Sequence, residues 1–240
     1  MVEPLAGHKQ SIGRSAEQAM RKWALSLQVQ ENLSREEPAD LAPAIHPYLA
    51  VSRESGAAGS EVAAQLGARL GWQVLDRQLL HHMAERYGLE NAMLEFVDET
   101  ASNWVIELFG KWVNKQLVTQ AEYAARLGRI VFLAAQHAST VFVGRGAQFL
   151  LPRERGFAVQ IIAPRDARIQ RVQEVKSIGR NEAAKYVDEQ DRGRADFVKK
   201  YFHRRFADPH LYDLVVNLER CSTDDAVELI VDQVKNRFGV

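Results

Sequence analysis

An α/β fold with a roughly five-stranded parallel sheet is the architecture that the sequence predicts. Short apolar segments alternate with longer segments of helical periodicity, and the first alternation has the form strand, turn, helix, strand. The apolar segment Tyr48–Val51 precedes a turn of small residues, Glu61–Leu70 repeats apolar residues on one helical face, and Trp72–Leu75 is apolar again. Gly71 marks the end of this helix. Such a unit predicts parallel strands joined by a right-handed crossover.

The same alternation continues toward the C-terminus. Further apolar segments predict strands at Thr140–Val143, Val159–Ile162 and Leu214–Asn217. Helical patterns occupy the segments between and after them, namely 77–138, the residues from Arg165 onward, 181–205 and Thr223–Phe238. Five strands that alternate with helices predict a doubly wound sheet with helices on both faces.

Residues 1–46 are predicted to form an N-terminal helical appendage. Ala19, Trp23 and Leu27 recur at near-helical spacing, which predicts a helix over 16–34. A segment with three prolines and no period follows and ends near Pro47, as is typical of a linker. The chain is therefore expected to divide into residues 1–46 and an α/β domain over 47–240.

The composition excludes several classes of function. Lys and Arg together number 31, as do Asp and Glu, so the formal net charge is zero and bulk attraction to nucleic acid or an anionic membrane is not expected. A single cysteine rules out an internal disulfide, and the seven histidines lack metal-ligand spacing. No apolar stretch approaches the ~20 residues that span a bilayer, and no secretory signal is visible. We expect a cytoplasmic protein without nucleic-acid or membrane partners, and no residue is predicted to be a metal ligand.

A turn of small residues between the first predicted strand and helix is a candidate phosphate site. Backbone amides at a helix N-terminus bind anions, and small side chains allow close approach. The turn departs from G-x-x-x-x-G-K-[ST], because no lysine occurs between Arg53 and Arg69. An ordinary strand-to-helix turn is the alternative interpretation. The candidate nucleotide-binding residues are Ser55, Gly56, Ala57, Ala58, Gly59, Ser60 and Glu61.

Five segments in the same order resemble the cytidylate kinase-like family. The first, VSRESGAAGSEVAAQLGARLGWQVLDRQLL, is similar to the family's opening, which often begins I-S-R-E-x-G-S-G-G and continues to a Y-D-[RK] element. The resemblance resumes at Thr140–Leu151, Gln160–Val172, Asp188–Phe202 and Tyr212–Asn217. It implies a P-loop NTPase-like three-layer fold, ATP and Mg²⁺ as cofactors, and transfer of the γ-phosphoryl group to a nucleoside monophosphate or similar small acceptor.

Two departures from true cytidylate kinases affect the phosphate loop. Gly59 falls where the loop lysine is expected, and Glu61 falls near the Ser or Thr that would hold Mg²⁺. That lysine offsets the charge that develops on the phosphates. Arg53 is the candidate replacement, since a guanidinium can bind two phosphate oxygens. The alternative for Arg53 is a salt bridge with Glu54 or Glu61.

The resemblance also implies residues on the acceptor side. Asp76, with Arg77 beside it, matches a residue that shapes the acceptor pocket, although Asp76 could equally be a helix N-cap. Arg145 matches the arginine of a G-R-D element, in which Gly146 replaces the aspartate. Because Arg145 follows a strand at the end where α/β sheets bind ligands, it is expected to contact phosphate. A surface arginine in a turn is the alternative.

Two polar patterns complete the candidate site. Arg165, Arg168 and Arg171 recur every three residues, as is typical of a solvated helix face. The resemblance instead implies a lid that closes over phosphates, and Arg168 and Arg171 match that lid best. Asp188, Asp191 and Arg194 repeat at the same spacing and match an element that engages the acceptor, with Val187 in place of its preceding arginine. A surface salt-bridge ladder is the alternative.

Two functions remain open from the sequence. The first is an ATP-dependent kinase, and the second is a catalytically inactive relative that senses nucleotides or binds a partner. The missing lysine and the missing Gly-Arg-Asp aspartate favour the second. The 1–46 segment, with Trp23 on an apolar face, could dock another subunit and so form a homo-oligomer.

Overall fold

The computed structural model describes residues 45–76, 128, 130–144 and 146–240. The chain divides into two compact units. One unit is Met1–His46 with Asp76–His137, and the other is Pro47–Leu75 with Ala138–Val240. The predicted helix over 16–34 and most of the predicted helical segment 77–138 lie outside the described residues, and the proposed division at residue 46 stays a prediction.

The second unit contains a five-stranded parallel sheet, which confirms the predicted fold class. Its order is β2-β3-β1-β4-β5, so β1 lies at the centre between β3 and β4. Val51 of β1 pairs with Val143 on one side and with Val159 on the other. The strands are β1 (Tyr48–Arg53), β2 (Gln73–Leu75), β3 (Thr140–Val143), β4 (Gly156–Ile162) and β5 (Leu214–Asn217).

Helices follow the strands as predicted, with small differences at their ends. The first begins two residues before the predicted Glu61 and ends against Gly71, whose left-handed conformation (φ 68°) lets its N–H bond to Gly67. The helices are α1 (Gly59–Leu70), α2 (Ala147–Leu150), α3 (Arg165–Lys176), α4 (Arg180–Phe202) and α5 (Thr223–Phe238), and 3₁₀ turns cover Arg153–Arg155 and Pro209–Leu211.

The main core fills one face of the sheet. Alternate residues of the central strands, such as Leu49 and Val51, point to this face because successive side chains of a strand alternate. They pack with Val62 and Leu66 of α1 and with the buried stripe of α5. This packing fixes the start of α1 against the end of β1, which is where the candidate phosphate loop lies.

The opposite face carries a cluster of buried polar side chains near the carboxyl ends of the strands. Gln148 Nε2 donates to Ser52 Oγ at 3.4 Å, while Gln160 Nε2 (3.2 Å) and Tyr212 Oη (2.8 Å) both donate to the carbonyl of Phe206. Burial raises the pKa of Tyr212 to about 12; the charge of Asp208 adds to this rise and a hydrogen bond with Ser52 opposes it. These bonds hold the turn after α4 against the sheet.

In the first unit, residues 130–137 are helical, within the predicted helix-rich segment. Ile130, Val131, Ala134 and Ala135 are buried there, and the amide of His46 donates to the carbonyl of Ala135 at 2.8 Å. In the part of the chain that the structure describes, no helix combines the length and apolar character needed to cross a membrane.

Candidate functional site

The loop between β1 and α1 folds into a compact turn with two left-handed residues. Gly56 has φ +80° and Ala58 has φ 59°, and α1 begins at the next residue. Glycine adopts positive φ without strain. A Cβ at position 56 would also meet the carbonyl oxygen of Arg168 at 2.5 Å, so the glycine is required by space as well as by conformation.

Several backbone amides of this loop make no hydrogen bond with any described residue. They belong to Gly56, Ala58, Gly59 and Ser60, whereas the Ala57 amide bonds to Glu54 at 3.3 Å and that of Glu61 bonds to Ala58 at 3.0 Å. N–H groups clustered at a helix N-terminus form an anion site. The loop can therefore bind an anionic group.

A cleft of about 360 Å³ lies over the loop. Residues from Arg53 to Glu61 form one side, and the helical hairpin of α3 and α4 forms the other. The hairpin has its own small core of Ile169, Val172, Ala183 and Val187, which holds the two helices together. The cleft-lining residues are Arg53, Glu54, Ser55, Gly56, Ala58, Gly59, Ser60, Glu61, Arg171, Val172, Val175, Lys176, Tyr186 and Arg194.

Arg53 extends across the start of α1. A Cβ added at Gly59 would meet Cβ and Cγ of Arg53, the latter at 2.8 Å. A Cβ added at Gly144 would lie 2.5 Å from Nη1 of Arg53. The Arg53 side chain thus runs past the position where the loop lysine is expected and reaches the end of β3.

Arg171 and Glu61 form an ion pair across the cleft. Nη2 of Arg171 donates to Oε2 of Glu61, and both side chains line the cleft and are partly exposed. Exposed pairs contribute little to stability. This pair therefore matters mainly for the charges that an incoming ligand meets.

Arg168 lies beneath the loop and outside the cleft lining. Its residue is 7% exposed, and its guanidinium donates to the carbonyls of Ala163 (2.8 Å) and Ser55 (3.0 Å) and to Asp191 (2.5 Å). Glu54 Oε2 lies 3.3 Å from Nε of Arg168. Asp191 also lies outside the lining, and Ala57 is buried.

Asp188, one turn before Asp191 on α4, pairs with a different arginine. Its carboxylate accepts two hydrogen bonds from Arg165, at 3.0 and 2.6 Å, and both side chains are exposed. The hydrogen bond from Arg165 holds the pKa of Asp188 below its usual value. The two carboxylates of the predicted stripe therefore serve different partners, and Asp188 does not line the cleft.

Comparison with known proteins shows which family contains this loop and cleft. The profile of the Cytidylate kinase-like family matches residues 48–220, which is more than half of the chain. The chain belongs to the cytidylate kinase-like family. This confirms the resemblance seen in the sequence and supports a kinase-type function that uses a nucleotide.

Solved structures extend the comparison to the fold of this family member. An uncharacterized protein from Eubacterium ventriosum has a TM-score of 0.65 and 19% identity, over 80% of this chain and 99% of that chain. Shikimate kinase from Acinetobacter baumannii with shikimate has a TM-score of 0.43 and 14% identity, over 80% of this chain and 94% of that chain. APS kinase from Mycobacterium tuberculosis with AMPPNP and APS has a TM-score of 0.43 and 18% identity, over 80% of this chain and 99% of that chain. The first of these likenesses shows the fold alone. Comparison with curated proteins gave no match.

Three residues are predicted for the acceptor side of this family member. Arg145 and Arg77 lie outside the described residues, and Asp76 belongs to the other compact unit. Gly144 and Gly146, on either side of Arg145, both have positive φ, of 77° and 67°. The roles of Arg77, Arg145 and Asp76 stay predictions.

Sequence reasoning missed one wall of the cleft. Val172, Val175, Lys176 and Tyr186 line it from the hairpin, and the Lys176 ammonium lies 4.5 Å from the centroid of the Tyr186 ring. Val175 is 75% exposed. The signal was available, because Val172 and Val175 follow Arg168 and Arg171 at helical spacing and so share their side of α3.

The donor groups of the cleft fit a magnesium–nucleotide complex. Mg²⁺ is held by one or two carboxylates together with substrate phosphates and water. Glu61 offers a carboxylate at the cleft surface and Ser60 a hydroxyl beside it. Among the described residues there is no group of three or more His, Cys, Asp or Glu that could hold a metal ion. Phosphate oxygens would therefore have to supply much of the coordination.

Proposed function

We propose that this chain is a nucleotide-dependent phosphotransferase that moves the γ-phosphoryl group of ATP to a nucleoside monophosphate or similar small acceptor. One observation carries the proposal. The amides of Gly56, Ala58, Gly59 and Ser60 have no hydrogen-bond partner among the described residues, and their loop lines a cleft that also contains arginine side chains. Catalysis in such a site consists of positioning and charge stabilisation.

In this proposal Arg53 takes the role of the missing lysine. Its side chain passes over Gly59 and lines the cleft beside the loop whose amides are proposed to bind phosphate. A guanidinium carries a permanent charge and can bind two oxygens of one phosphate. Arg53 would hold the terminal phosphates from the sheet side of the cleft, and Arg171 and Arg194 would hold them from the hairpin side.

Glu61, with Ser60 beside it, would hold Mg²⁺ on the bound nucleotide. The metal supplies charge neutralisation on the phosphate oxygens when it is bound. In the structure Glu61 accepts a hydrogen bond from Arg171. Metal binding by Glu61 would therefore leave Arg171 available to a phosphate oxygen. The hairpin would exclude water from the transferring group.

The acceptor side rests on residues assigned by family resemblance. Arg145 is separated from β3 by one residue, Gly144, which Arg53 approaches, and is proposed to contact the phosphate of the acceptor. Asp76 and Arg77 follow β2 and are proposed to shape the acceptor pocket. Asp188 and Asp191 match an element that engages the acceptor; their pairing with Arg165 and Arg168 favours a supporting role.

Isothermal titration calorimetry with MgATP tests the binding half of this proposal. We expect wild type to bind, and Arg53→Ala to lose about tenfold or more in affinity, as is typical when a charge-assisted phosphate contact is removed. Arg69→Ala is the matched control, because Arg69 is an exposed arginine of α1 that pairs with Glu228. No binding by wild type would overturn the proposal.

A second measurement decides whether phosphoryl transfer follows binding. Formation of ADP from MgATP is followed while nucleoside monophosphates are supplied one at a time, CMP first. Acceptor-dependent ADP formation supports the kinase. The alternative function is a catalytically inactive nucleotide sensor, which Gly59 and Gly146 in the lysine and aspartate positions favour; it predicts MgATP binding without acceptor-dependent turnover.

The role of residues 1–46 is a separate proposal. We expect this appendage to bind a second copy of the chain. We also expect the protein to be cytoplasmic. Deletion of residues 1–46 should convert an oligomer to a monomer in sedimentation analysis. If the shortened chain has the same number of subunits as the full chain, the docking role is contradicted.

A further inference from the structure

Asp191 joins three parts of the candidate site through one carboxylate. Its Oδ1 accepts from the backbone amide of Ser55 at 2.7 Å and from Nη1 of Arg194 at 3.2 Å. Its Oδ2 accepts from Nη1 of Arg168 at 2.5 Å. The phosphate loop, α3 and a cleft-lining arginine of α4 are thus connected through a single side chain.

The connection is enclosed. Side-chain exposure is 9% for Arg168 and 26% for Asp191. Arg168 also donates to the carbonyl of Ser55, so the two peptide groups that flank Ser55 Cα are held by Asp191 and Arg168 together. Neither residue lines the cleft, whereas Arg194 does. A phosphate in the cleft therefore meets Arg194 and the loop amides, with Asp191 behind them.

Charge balance explains why the carboxylate is needed. A buried guanidinium is costly unless it is paired and hydrogen-bonded. Arg168 has two carboxylates within reach, Glu54 at 3.3 Å and Asp191 at 2.5 Å. Loss of Asp191 would remove the closer partner, release the Ser55 amide and remove the hydrogen bond between Asp191 and Arg194.

We propose that Asp191 is a positioning residue that fixes the phosphate loop at Ser55 and directs Arg194 into the cleft, and that it stays on Ser55 when nucleotide binds. This inference rests on the proposed nucleotide site. It assigns Asp191 to the loop and the donor phosphates, and it leaves the Ser55 amide out of phosphate binding. The amides that remain for phosphate are those of Gly56, Ala58, Gly59 and Ser60.

The first test follows the Ser55 amide by NMR in free and MgADP-bound protein. We expect a downfield-shifted, exchange-protected amide in both states of wild type, and loss of both properties in Asp191→Ala. Asp188→Ala is the matched control, because Asp188 lies one turn earlier on α4 and pairs with exposed Arg165. A scalar coupling between the Ser55 amide and phosphorus in the MgADP complex of wild type would overturn the proposal, because a phosphate oxygen would then have displaced the carboxylate.

The second test separates positioning from a merely structural role. MgADP affinity is measured for Asp191→Ala, Arg194→Ala and the double variant, with the isosteric Asp191→Asn in place of Asp191→Ala if the latter fails to fold. We expect about a tenfold loss for each single variant and little further loss for the double variant, because residues that act through each other are not additive. Additive losses, or unchanged affinity in Asp191→Ala, would overturn the proposal.

Failure of the proposed function gives a different pattern. If wild type binds neither MgADP nor MgATP, the nucleotide site is wrong and with it the role of Arg194 in phosphate binding. The Ser55 amide of free wild type and free Asp191→Ala then still decides whether Asp191 fixes the loop. Equal exchange in the two proteins would contradict that as well.

Discussion

The side chain of Arg53 fills the space that a side chain at Gly59 would need. A Cβ at position 59 would meet Cβ and Cγ of Arg53, the latter at 2.8 Å. The loop can therefore carry an arginine at the end of β1 or a side chain at position 59, but not both in this arrangement. This relationship links the absence of the loop lysine to the presence of Arg53.

Gly59→Ala should displace Arg53 and weaken nucleotide binding. Overpacking of a close-packed site costs about 1–3 kcal/mol, and we expect the free energy of unfolding in urea to fall by that amount, together with the affinity for MgATP. Gly193→Ala is the matched control: a Cβ at Gly193 of α4 meets nothing within 4 Å. Alanine there should stabilise by about 1 kcal/mol. Equal effects of the two substitutions would refute the steric relationship.

Gly56→Ala should cost more stability than an alanine at another positive-φ glycine. A Cβ at Gly56 would lie 2.5 Å from the Arg168 carbonyl, whereas a Cβ at Gly71 (φ +68°) meets nothing within 4 Å. Gly71→Ala therefore measures the left-handed strain alone, about 1 kcal/mol. In urea unfolding we expect Gly56→Ala to lose about 1–3 kcal/mol beyond that. A difference near zero would mean that the loop relaxes away from Arg168.

Glu61→Gln should make nucleotide binding less dependent on Mg²⁺. The carboxylate repels free ADP and, in our proposal, holds the metal of MgADP. We expect the ratio of the two dissociation constants, with EDTA and with Mg²⁺, to fall by about tenfold. Glu228→Gln, which changes the exposed Arg69–Glu228 pair, serves as control. A ratio that is the same in wild type and Glu61→Gln would remove Glu61 from the metal site.

Tyr212 should make the protein less stable at alkaline pH. Its folded pKa is about 12, against about 10 in the unfolded chain. The stabilisation is complete below pH ~10 and is lost as pH rises from ~10 to ~12, because the unfolded state ionises first. A two-unit shift corresponds to about 2–3 kcal/mol. The burial-raised pKa of Tyr48 acts in the same direction.

Urea unfolding between pH 8 and pH 11.5 measures this loss. Tyr212→Phe should be less stable at pH 8 by about 1 kcal/mol, because the bond to the Phe206 carbonyl is gone. It should then lose less stability than wild type as pH rises. Parallel pH profiles for the two proteins would show that Tyr212 ionisation is not linked to folding.

Much of the sheet could be predicted from the sequence because its strands are short apolar segments, of which β1, β3 and β4 are buried on both faces. Thr140–Val143 and Leu214–Asn217 have the predicted bounds. β4 begins three residues before the predicted Val159, at Gly156, although glycine is usually unfavourable in a strand. The Tyr48 ring occupies the space of a Cβ at Gly156, and that contact spans more than a hundred positions in the chain, so local pattern could not reveal it.

The two polar stripes were harder to interpret, because residues three apart on an α-helix differ in direction by about 60°. Arg165, Arg168 and Arg171 consequently reach Asp188, Asp191 and Glu61 in turn. A solvated face and a phosphate-facing row share this spacing. Only the position of each helix relative to the loop distinguishes a buried support such as Arg168 from a cleft residue such as Arg171.

The most direct test of the account moves the positive charge from Arg53 back to position 59. MgATP affinity is measured by calorimetry for wild type, Arg53→Ala and the double variant Arg53→Gly with Gly59→Lys. Because Cβ of residue 53 is itself an atom that a Cβ at position 59 would meet, the double variant carries glycine at position 53 to make room for the lysine. We predict that Arg53→Ala loses most of the affinity and that the double variant regains it. Unchanged affinity in Arg53→Ala would contradict the claim that Arg53 replaces the loop lysine.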